Sequence, residues 1–157
     1  GLTDINYKRS YDIKVSLYTE KNKACLMISK IDIYFGLSKI DVLIFDKYNK
    51  DSCEYNVIKD HENKHVKTYQ KVLKYYSEEI GRTIYSRVKN KKPILITDVD
   101  NIKSISENYV LDVKDFITSD ENLNRIEDKM MQEIEYENGL LDSKRNYDET
   151  KKQCNNW

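Results

Sequence analysis

The segment that decides the fold is EYNVIKDHENKHVKTYQKVLKYYSEEIGRTIYSRV, residues 54–88. Apolar, aromatic and histidine side chains recur in it at steps of three and four residues, which is the spacing of one face of an α-helix. We therefore predict a helix over 54–88. Its inward stripe consists of Val57, His61, His65, Tyr69, Val72, Leu73, Tyr76, Ile80 and Ile84. Both histidines of the chain lie in this stripe, so the predicted helix turns both imidazoles inward.

The residues before this helix show the alternating polar and apolar pattern of β-strands. In the first predicted strand, Ile13, Val15 and Leu17 fall on one face. A turn at 21–23 and a break at 35–38 separate the segments. The predicted strands are residues 11–20, 24–34 and 40–45. We expect a short antiparallel sheet of about three strands, arranged as a meander.

The chain after the first helix contains a second helical pattern. Lys91-Lys92-Pro93 ends the first helix region because proline cannot continue a helix, and Ile94–Ile96 is predicted as a brief strand. Ser119 or Asp120 can cap a second helix. Its stripe is apolar at the start and acidic towards the end, with Leu123, Ile126, Met130, Ile134, Glu137, Leu141 and Asp148.

Together these elements predict an α+β fold in which a short antiparallel sheet packs on two long helices. A chain of 157 residues is expected to form a single domain over 1–157. Two long helices joined by a connector of about 30 residues pack most simply antiparallel. The predicted order is a strand-rich region over 1–50, a helix over 54–88, a connector over 89–120 and a helix over 121–153.

The charge distribution argues against a nucleic-acid partner. The 27 basic and 27 acidic residues cancel, and the two signs are interspersed along the chain. A nucleic-acid or anionic-lipid surface would require clustered Lys and Arg. We therefore expect a peptide or protein partner. No run approaches the roughly 20 apolar residues that span a bilayer, so no membrane span is expected.

The chain contains three cysteines, Cys25, Cys53 and Cys154. They allow one disulfide with one thiol left over, and the pairing stays open at this point, as does an all-thiol state. If the second and third of them are bonded, facing residues of the two helices have numbers that sum to about 207. That register sets His65 opposite Asp142, and it sets His61 opposite residues 146–148.

The strongest chemical signal is the motif His61-Glu62-Asn63-Lys64-His65. Histidines four residues apart share one helix face, where two imidazoles can bind a tetrahedral Zn²⁺ and the glutamate can reach a metal-bound water. We predict His61 and His65 as zinc ligands and Glu62 as the general base. Zinc is the expected cofactor, and the same ligand types also suit iron, cobalt or nickel.

A third protein ligand is needed, because a catalytic zinc site combines three protein ligands with one open position. The acidic residues in the otherwise apolar stripe of the second helix are the candidates. Asp148 is the first choice, and Asp142, Glu137 and Glu149 are the alternatives. Tyr147 adjoins Asp148 and is predicted as a donor to the developing oxyanion.

The order of these motifs resembles a known family. His61-Glu62-Asn63-Lys64-His65-Val66 followed by Tyr147-Asp148-Glu149-Thr150 is similar to the small predicted secreted zinc-dependent proteases of bacteria, minimal members of the zincin group. The resemblance implies a zincin-like fold, zinc peptidase activity and a periplasmic or secreted protein. In that family a His-Gly pair follows the second motif, whereas here none follows, so no late histidine is carried over. The start at Gly1 instead of Met fits either an artificially trimmed chain or a mature form whose signal peptide has been removed.

Two other interpretations remain open. In one, a non-catalytic binding or envelope protein keeps a zincin-like fold with an idle or structural metal site. In the other, the two histidines are core side chains bonded to Glu or Tyr. A structural metal would be fully coordinated, whereas an enzyme needs an open position and Glu62 within reach of the water there. In the peptidase interpretation, the sheet edge holds an extended substrate by strand addition.

Overall fold

The structure, a computed structural model, describes residues 1–97 and 99–154, and for Val99 the backbone alone. Its elements are β1 (Leu2–Glu20), β2 (Lys23–Leu43), α1 (Cys53–Val88), β3 (Ile94–Ile96), a short 3₁₀ helix (Val99–Asn101), α2 (Ile102–Thr118), α3 (Glu121–Leu141) and α4 (Lys144–Lys151). The predicted α+β class with a three-stranded antiparallel sheet is confirmed. Residue 98 of the predicted connector and residues 155–157 of the predicted domain lie outside the described residues.

The sheet has the expected number of strands, but the predicted meander is wrong. β1 and β2 form one long hairpin, and β2 includes both the second and the third predicted strands. Residues 35–38 do not break it, because this stretch stays paired with β1. Ser38 Oγ donates to the carbonyl of Asn6 at 3.1 Å, and the rings of Tyr7 and Phe35 lie 6.2 Å apart. The third strand is β3, in sheet order β1-β2-β3.

Helix α1 confirms the predicted helix to within one residue at its start, whereas the later helical predictions need two corrections. The predicted connector over 89–120 contains α2, and the predicted helix over 121–153 is divided into α3 and α4. The signal for α2 was present, since Tyr109, Val113 and Ile117 are buried one turn apart. The surrounding Asn, Asp and Ser residues had suggested turns instead.

The chain folds into two compact units, which share the long hairpin and α1. Unit 1 contains residues 1–8, 35–77 and the described part of 126–157; unit 2 contains 9–34 and 78–125. The single domain over 1–157 stays a prediction. Among the helices of the described residues, none combines the length and the apolar character that a bilayer crossing requires.

Unit 1 is organised around two antiparallel helices. The hydroxyl of Tyr76 on α1 donates to Glu133 Oε2 on α3 at 2.9 Å. At the other end of the pair, a disulfide joins Cys53 to Cys154 with the Cα atoms 5.9 Å apart, and Cys25 is free. Within unit 1, the buried apolar side chains of α1 and α3 are Ile58, Val72, Leu73, Tyr76, Ile126, Met130 and Ile134. The antiparallel arrangement predicted from the sequence is therefore present in this unit.

Unit 2 combines the tip of the hairpin with β3, the end of α1, α2 and the start of α3. β3 pairs with β2 so that Ala24 faces Ile96 and Leu26 faces Ile94. Its core side chains are Ala24, Leu26, Ile80, Ile84, Ile96, Tyr109, Val113, Ile117 and Leu123.

A buried ion pair joins the end of α1 to the start of α3 in unit 2. The guanidinium of Arg87 contacts the carboxylate of Asp120, donates to the carbonyl of Phe116 at 2.9 Å, and lies 4.2 Å above the Phe116 ring. Asp120 is only 3% exposed, and its Oδ1 also accepts from the backbone N–H of Asn122 at 2.6 Å. The predicted helix cap at Asp120 is therefore confirmed, and the same carboxylate neutralises Arg87.

Replacing Asp120 by alanine should lower the free energy of unfolding by about 2–4 kcal/mol, because α3 loses its cap and Arg87 loses its buried partner. Urea denaturation followed by circular dichroism measures the change. Asp120→Asn is the matched control, since an amide oxygen still caps the helix although it carries no charge. It should lose less than the alanine variant. A loss below about 0.5 kcal/mol for Asp120→Ala would show that the pair does not stabilise unit 2.

Candidate metal centre

Three potential metal ligands converge in unit 1. His61 Nε2 and His65 Nε2 lie 3.1 Å apart, and Asp142 Oδ1 lies 3.1 Å from the first and 3.0 Å from the second. The histidines are on consecutive turns of α1, and the aspartate directly follows α3. The three atoms form a nearly equilateral triangle, so one small ion can contact all of them.

The triangle fits the dimensions of a tetrahedral zinc site. Ligands about 2.0–2.1 Å from a tetrahedral ion lie about 3.3–3.4 Å from one another. The observed separations of 3.0–3.1 Å are shorter by only a few tenths of an ångström. Two imidazoles and one carboxylate are also a donor set that zinc accepts, and three protein ligands leave a fourth position open. The side chain of Asp142 is 63% exposed, so the site is accessible from solvent.

Asn138 fixes the orientation of His65. Its amide oxygen Oδ1 lies 2.8 Å from His65 Nδ1. Because an amide oxygen can only accept, Nδ1 donates the proton in this hydrogen bond. In the neutral imidazole this leaves Nε2 without a proton, which is the form that binds a metal.

With His65 Nδ1 protonated, the contact between His65 and Asp142 requires a second proton or a metal ion. The lone pair of His65 Nε2 faces Asp142 Oδ1 at 3.0 Å, and a carboxylate oxygen also has lone pairs but no proton. Two acceptors at that distance repel each other unless a proton or a metal ion lies between them. A metal ion bound by the three atoms would fill this role, and so would a proton on either imidazole.

Tyr69 completes the polar shell around the ligands. Burial raises the pKa of its phenol, the negative charge of Asp142 adds to the rise, and the hydrogen bond from Asn138 opposes it. The phenol is therefore neutral at physiological pH and remains a hydrogen-bond partner for the amide. Carboxamide and phenol groups of this kind hold a ligating imidazole in one orientation.

The break between α3 and α4 positions Asp142. Ser143 has extended backbone angles (φ −60°, ψ 146°), and its hydroxyl accepts from the backbone N–H of Asn146, so it caps α4. The side chain of Asn146 donates to the carbonyl of Leu140 at 2.7 Å and satisfies the end of α3. Asp142 is therefore held between a satisfied helix end and a capped helix start, with its carboxylate directed to the histidines.

Glu62 lies beside the ligands but is held by the first strand. It is 5% exposed, and Thr3 Oγ1 lies 2.7 Å from its Oε2 and 3.2 Å from its backbone carbonyl. The nitrogen of Gly1 lies 3.8 Å from Oε1. The carboxylate is thus fixed in place by contacts from the start of β1.

Two cavities adjoin the candidate metal centre, and Glu62 and Asp142 line both. The first, of about 160 Å³, is also lined by Leu2, Thr3, His65, Tyr69 and Asn138. The second, of about 240 Å³, is also lined by Phe45, Lys47, Tyr48, Ile58, His61, Tyr147 and Thr150. A ligand could therefore approach the same carboxylates from two sides.

The structure brings together three of the predicted site residues, His61, Glu62 and His65, and places Tyr147 in the larger cavity. The third member of the ligand group is Asp142, one of the alternatives, whereas Asp148 lies exposed on α4 outside the group. The disulfide register correctly set His65 opposite Asp142.

For His61 the same register predicted residues 146–148 as facing residues. The structure places Tyr147 in the cavity that His61 lines, but the carboxylate within 3.1 Å of His61 Nε2 is that of Asp142. The reason is the break at Ser143, because the register assumed one continuous helix. The other two alternative ligands also lie outside the group: Glu149 is paired with Arg145 at 3.2 Å, and Glu137 is on α3.

Sequence reasoning missed Thr3 and Asn138, and it noted Tyr69 only as part of a helical stripe. The stripe did contain a signal for Tyr69, which lies one turn after His65 on the same face. Thr3 and Asn138 come from distant parts of the chain and have no local signature.

The fold and the site define an α+β protein with a candidate centre of two histidines and one carboxylate. No family model, curated protein or solved structure matches the chain. The resemblance to secreted zinc-dependent proteases therefore stays a prediction from the motifs.

Proposed function

We propose that the protein is a zinc-dependent peptidase or related amide hydrolase of the zincin type. The observation that carries the proposal is the triangle of His61 Nε2, His65 Nε2 and Asp142 Oδ1, with sides of 3.0–3.1 Å and solvent access at Asp142. These three residues would hold the zinc ion. The ion would supply a Lewis acid that activates water and polarises a carbonyl group.

The remaining residues have roles that follow from their positions. Glu62 lines both cavities, and it would accept the proton of the attacking water and pass it to the leaving amine. Thr3 holds that carboxylate through a 2.7 Å hydrogen bond. Tyr147 lines the larger cavity, where its hydroxyl could donate to the carbonyl oxygen as negative charge develops there. The substrate is proposed to be a peptide or a protein.

A second candidate function is a non-catalytic metal-binding protein. It is favoured by the state of Glu62, which is nearly fully buried and already accepts a hydrogen bond from Thr3. In this case the metal would serve to join α1 to the end of α3. Both candidates agree with a secreted or periplasmic protein, because the disulfide between Cys53 and Cys154 is typical of oxidising compartments.

Glu62→Gln separates the two candidates, because the amide keeps the size of the side chain and can still accept from Thr3 but cannot act as a base. We expect kcat/KM for a quenched-fluorescent peptide library to fall by at least about 100-fold, with zinc content unchanged. Glu149→Gln, which changes a carboxylate outside the ligand group, should keep wild-type activity. Wild-type activity in Glu62→Gln would exclude Glu62 as the base. A zinc-loaded wild-type protein that cleaves no library member would favour the non-catalytic function.

A further inference from the structure

Unit 2 contains a groove that the metal centre does not use. It has a volume of about 430 Å³ and runs between β2 and the last turns of α1. One wall consists of residues 27–31 and 33 of β2. The other consists of Gly81, Ile84, Tyr85, Val88, Lys89 and Lys91. Side chains of a strand alternate between its two faces, so a groove over one face would be lined by every second residue. Here consecutive residues line the wall, which shows that the groove follows the edge of β2.

That edge of β2 is open. β3 pairs with β2 only from Ala24 to Leu26, and β1 occupies the opposite side of β2. From Met27 onward, no strand among the described residues pairs with the free side of β2. Unpaired backbone N–H and C=O groups at such an edge are a template for a further strand. A segment bound there would continue the line of β3.

Gly81 keeps the helical wall of the groove open. It lies inside α1, where glycine costs about 1 kcal/mol relative to alanine. Apart from its chain neighbours and the backbone of its own helix, no described atom lies within 4 Å of the position that a Cβ would take, so close packing does not explain the glycine. The missing side chain leaves room beside Ile84 and Tyr85, which also line the groove.

The side chains that line the groove indicate the charge and polarity of a matching ligand. Three lysines line it, Lys30, Lys89 and Lys91, and no acidic residue does. Lys91 Nζ is held 4.6 Å above the ring of Phe116, and Lys30 Nζ also contacts Asp32 at the rim at 2.8 Å. The remaining lining is mainly apolar, with Ile28, Ile84 and Val88. An extended segment with alternating acidic and apolar side chains complements this combination.

We propose that this groove binds an extended acidic segment of a partner protein, which adds to β2 as a strand. The backbone of the segment pairs with the free edge from Met27 to Ile33. Its apolar side chains contact the α1 wall, and its carboxylates face the lysines. The proposal is independent of the metal centre, which lies in unit 1.

Fluorescence anisotropy with three labelled octapeptides tests the proposal. The probes are an alternating Glu-Val peptide, an alternating Lys-Val peptide, and the Glu-Val peptide with every second amide N-methylated, and mass spectrometry checks that each stays intact. We expect saturable binding of the Glu-Val probe and at least about ten-fold weaker binding of the other two, because one lacks the charge and the other cannot pair as a strand. Absence of saturable Glu-Val binding, or equal binding of all three probes, would overturn the proposal.

Two glycine variants locate the binding site. Gly81→Leu adds a side chain at a groove position where nothing lies within 4 Å of the new Cβ. Gly139→Leu makes the same change in α3, where the Cβ position is equally open. Both variants should fold, since leucine favours the helix over glycine. The Glu-Val probe should bind Gly81→Leu at least about ten-fold more weakly and Gly139→Leu about as well as wild type. Equal binding to Gly81→Leu and wild type would exclude this groove as the site.

Discussion

Replacing His65 by alanine is expected to lower the affinity for zinc by about 100- to 1,000-fold. Structural zinc sites with four ligands bind with about 10–16 kcal/mol, which corresponds to roughly 2.5–4 kcal/mol for each ligand. His65 contributes one corner of the ligand triangle, and it also joins Asn138 to Asp142. Its loss therefore removes a ligand and leaves the Asn138 amide oxygen without its hydrogen-bond donor.

Elemental analysis of tag-free protein provides the measurement. We expect about one zinc per chain in the wild type and none after dialysis in His65→Ala. Thermal unfolding gives a second readout, because zinc stabilises a folded protein that binds it and should raise the melting temperature of the wild type alone. A His65→Ala protein that retains zinc with wild-type affinity would show that the triangle is not the metal site.

Two aspartate variants decide between the ligand chosen from the sequence and the ligand found in the structure. Asp142→Ala should lose zinc as His65→Ala does, whereas Asp148→Ala should retain it, because Asp148 lies outside the ligand group. Asn138→Ala should have an intermediate effect of about 10- to 100-fold, which is usual for a residue that orients a ligating histidine. Loss of zinc in Asp148→Ala with retention in Asp142→Ala would reverse the assignment.

Removing the disulfide should lower the free energy of unfolding by about 4–5 kcal/mol. The bond between Cys53 and Cys154 closes a loop with a sequence separation of 101 residues. Loop-closure entropy predicts about 4.7 kcal/mol for a loop of that length. The bond also ties the first residue of α1 to the segment that follows α4, so its loss should loosen the end of unit 1 that carries Asp142.

Urea denaturation of the double variant Cys53→Ser/Cys154→Ser measures this contribution. Cys25→Ser is the matched control, since it removes a thiol that is free in the structure, and its free energy of unfolding should stay within about 1 kcal/mol of the wild type. A double variant that loses less than about 1 kcal/mol would show that the cross-link does not constrain the unfolded chain as expected.

The elements that could be predicted from sequence are those whose pattern is local. The 3.6-residue period over 54–88 predicted α1 to within one residue of its observed start. The alternation of Ile13, Val15 and Leu17 predicted part of β1. The helical pattern arises because one face of α1 is buried, whereas in β1 Ile13 and Val15 are half-buried and Leu17 is exposed.

The errors concern features that depend on distant partners. Residues 35–38 looked like a break, yet they continue β2 because β1 supplies pairing partners such as Asn6. The division between α3 and α4 was missed because the cap at Ser143 competes with a pattern that also suits one long helix. The continuation of β2 and the break between α3 and α4 depend on the free energies of competing contacts, which the pattern of consecutive residues does not show.

The local pattern of residues 54–88 is enough to place His61, Glu62 and His65 on one helix, with both imidazoles on the same face, since helical periodicity fixes side chains four residues apart. The choice of Asp142 over Asp148 in the ligand triangle, and the contacts of Thr3 with Glu62 and of Asn138 with His65, become visible only in the folded chain. The difference lies in the range of the interactions. A ligand from another helix is placed by the helix break, the disulfide and the antiparallel packing together, and each of these joins residues far apart in the chain.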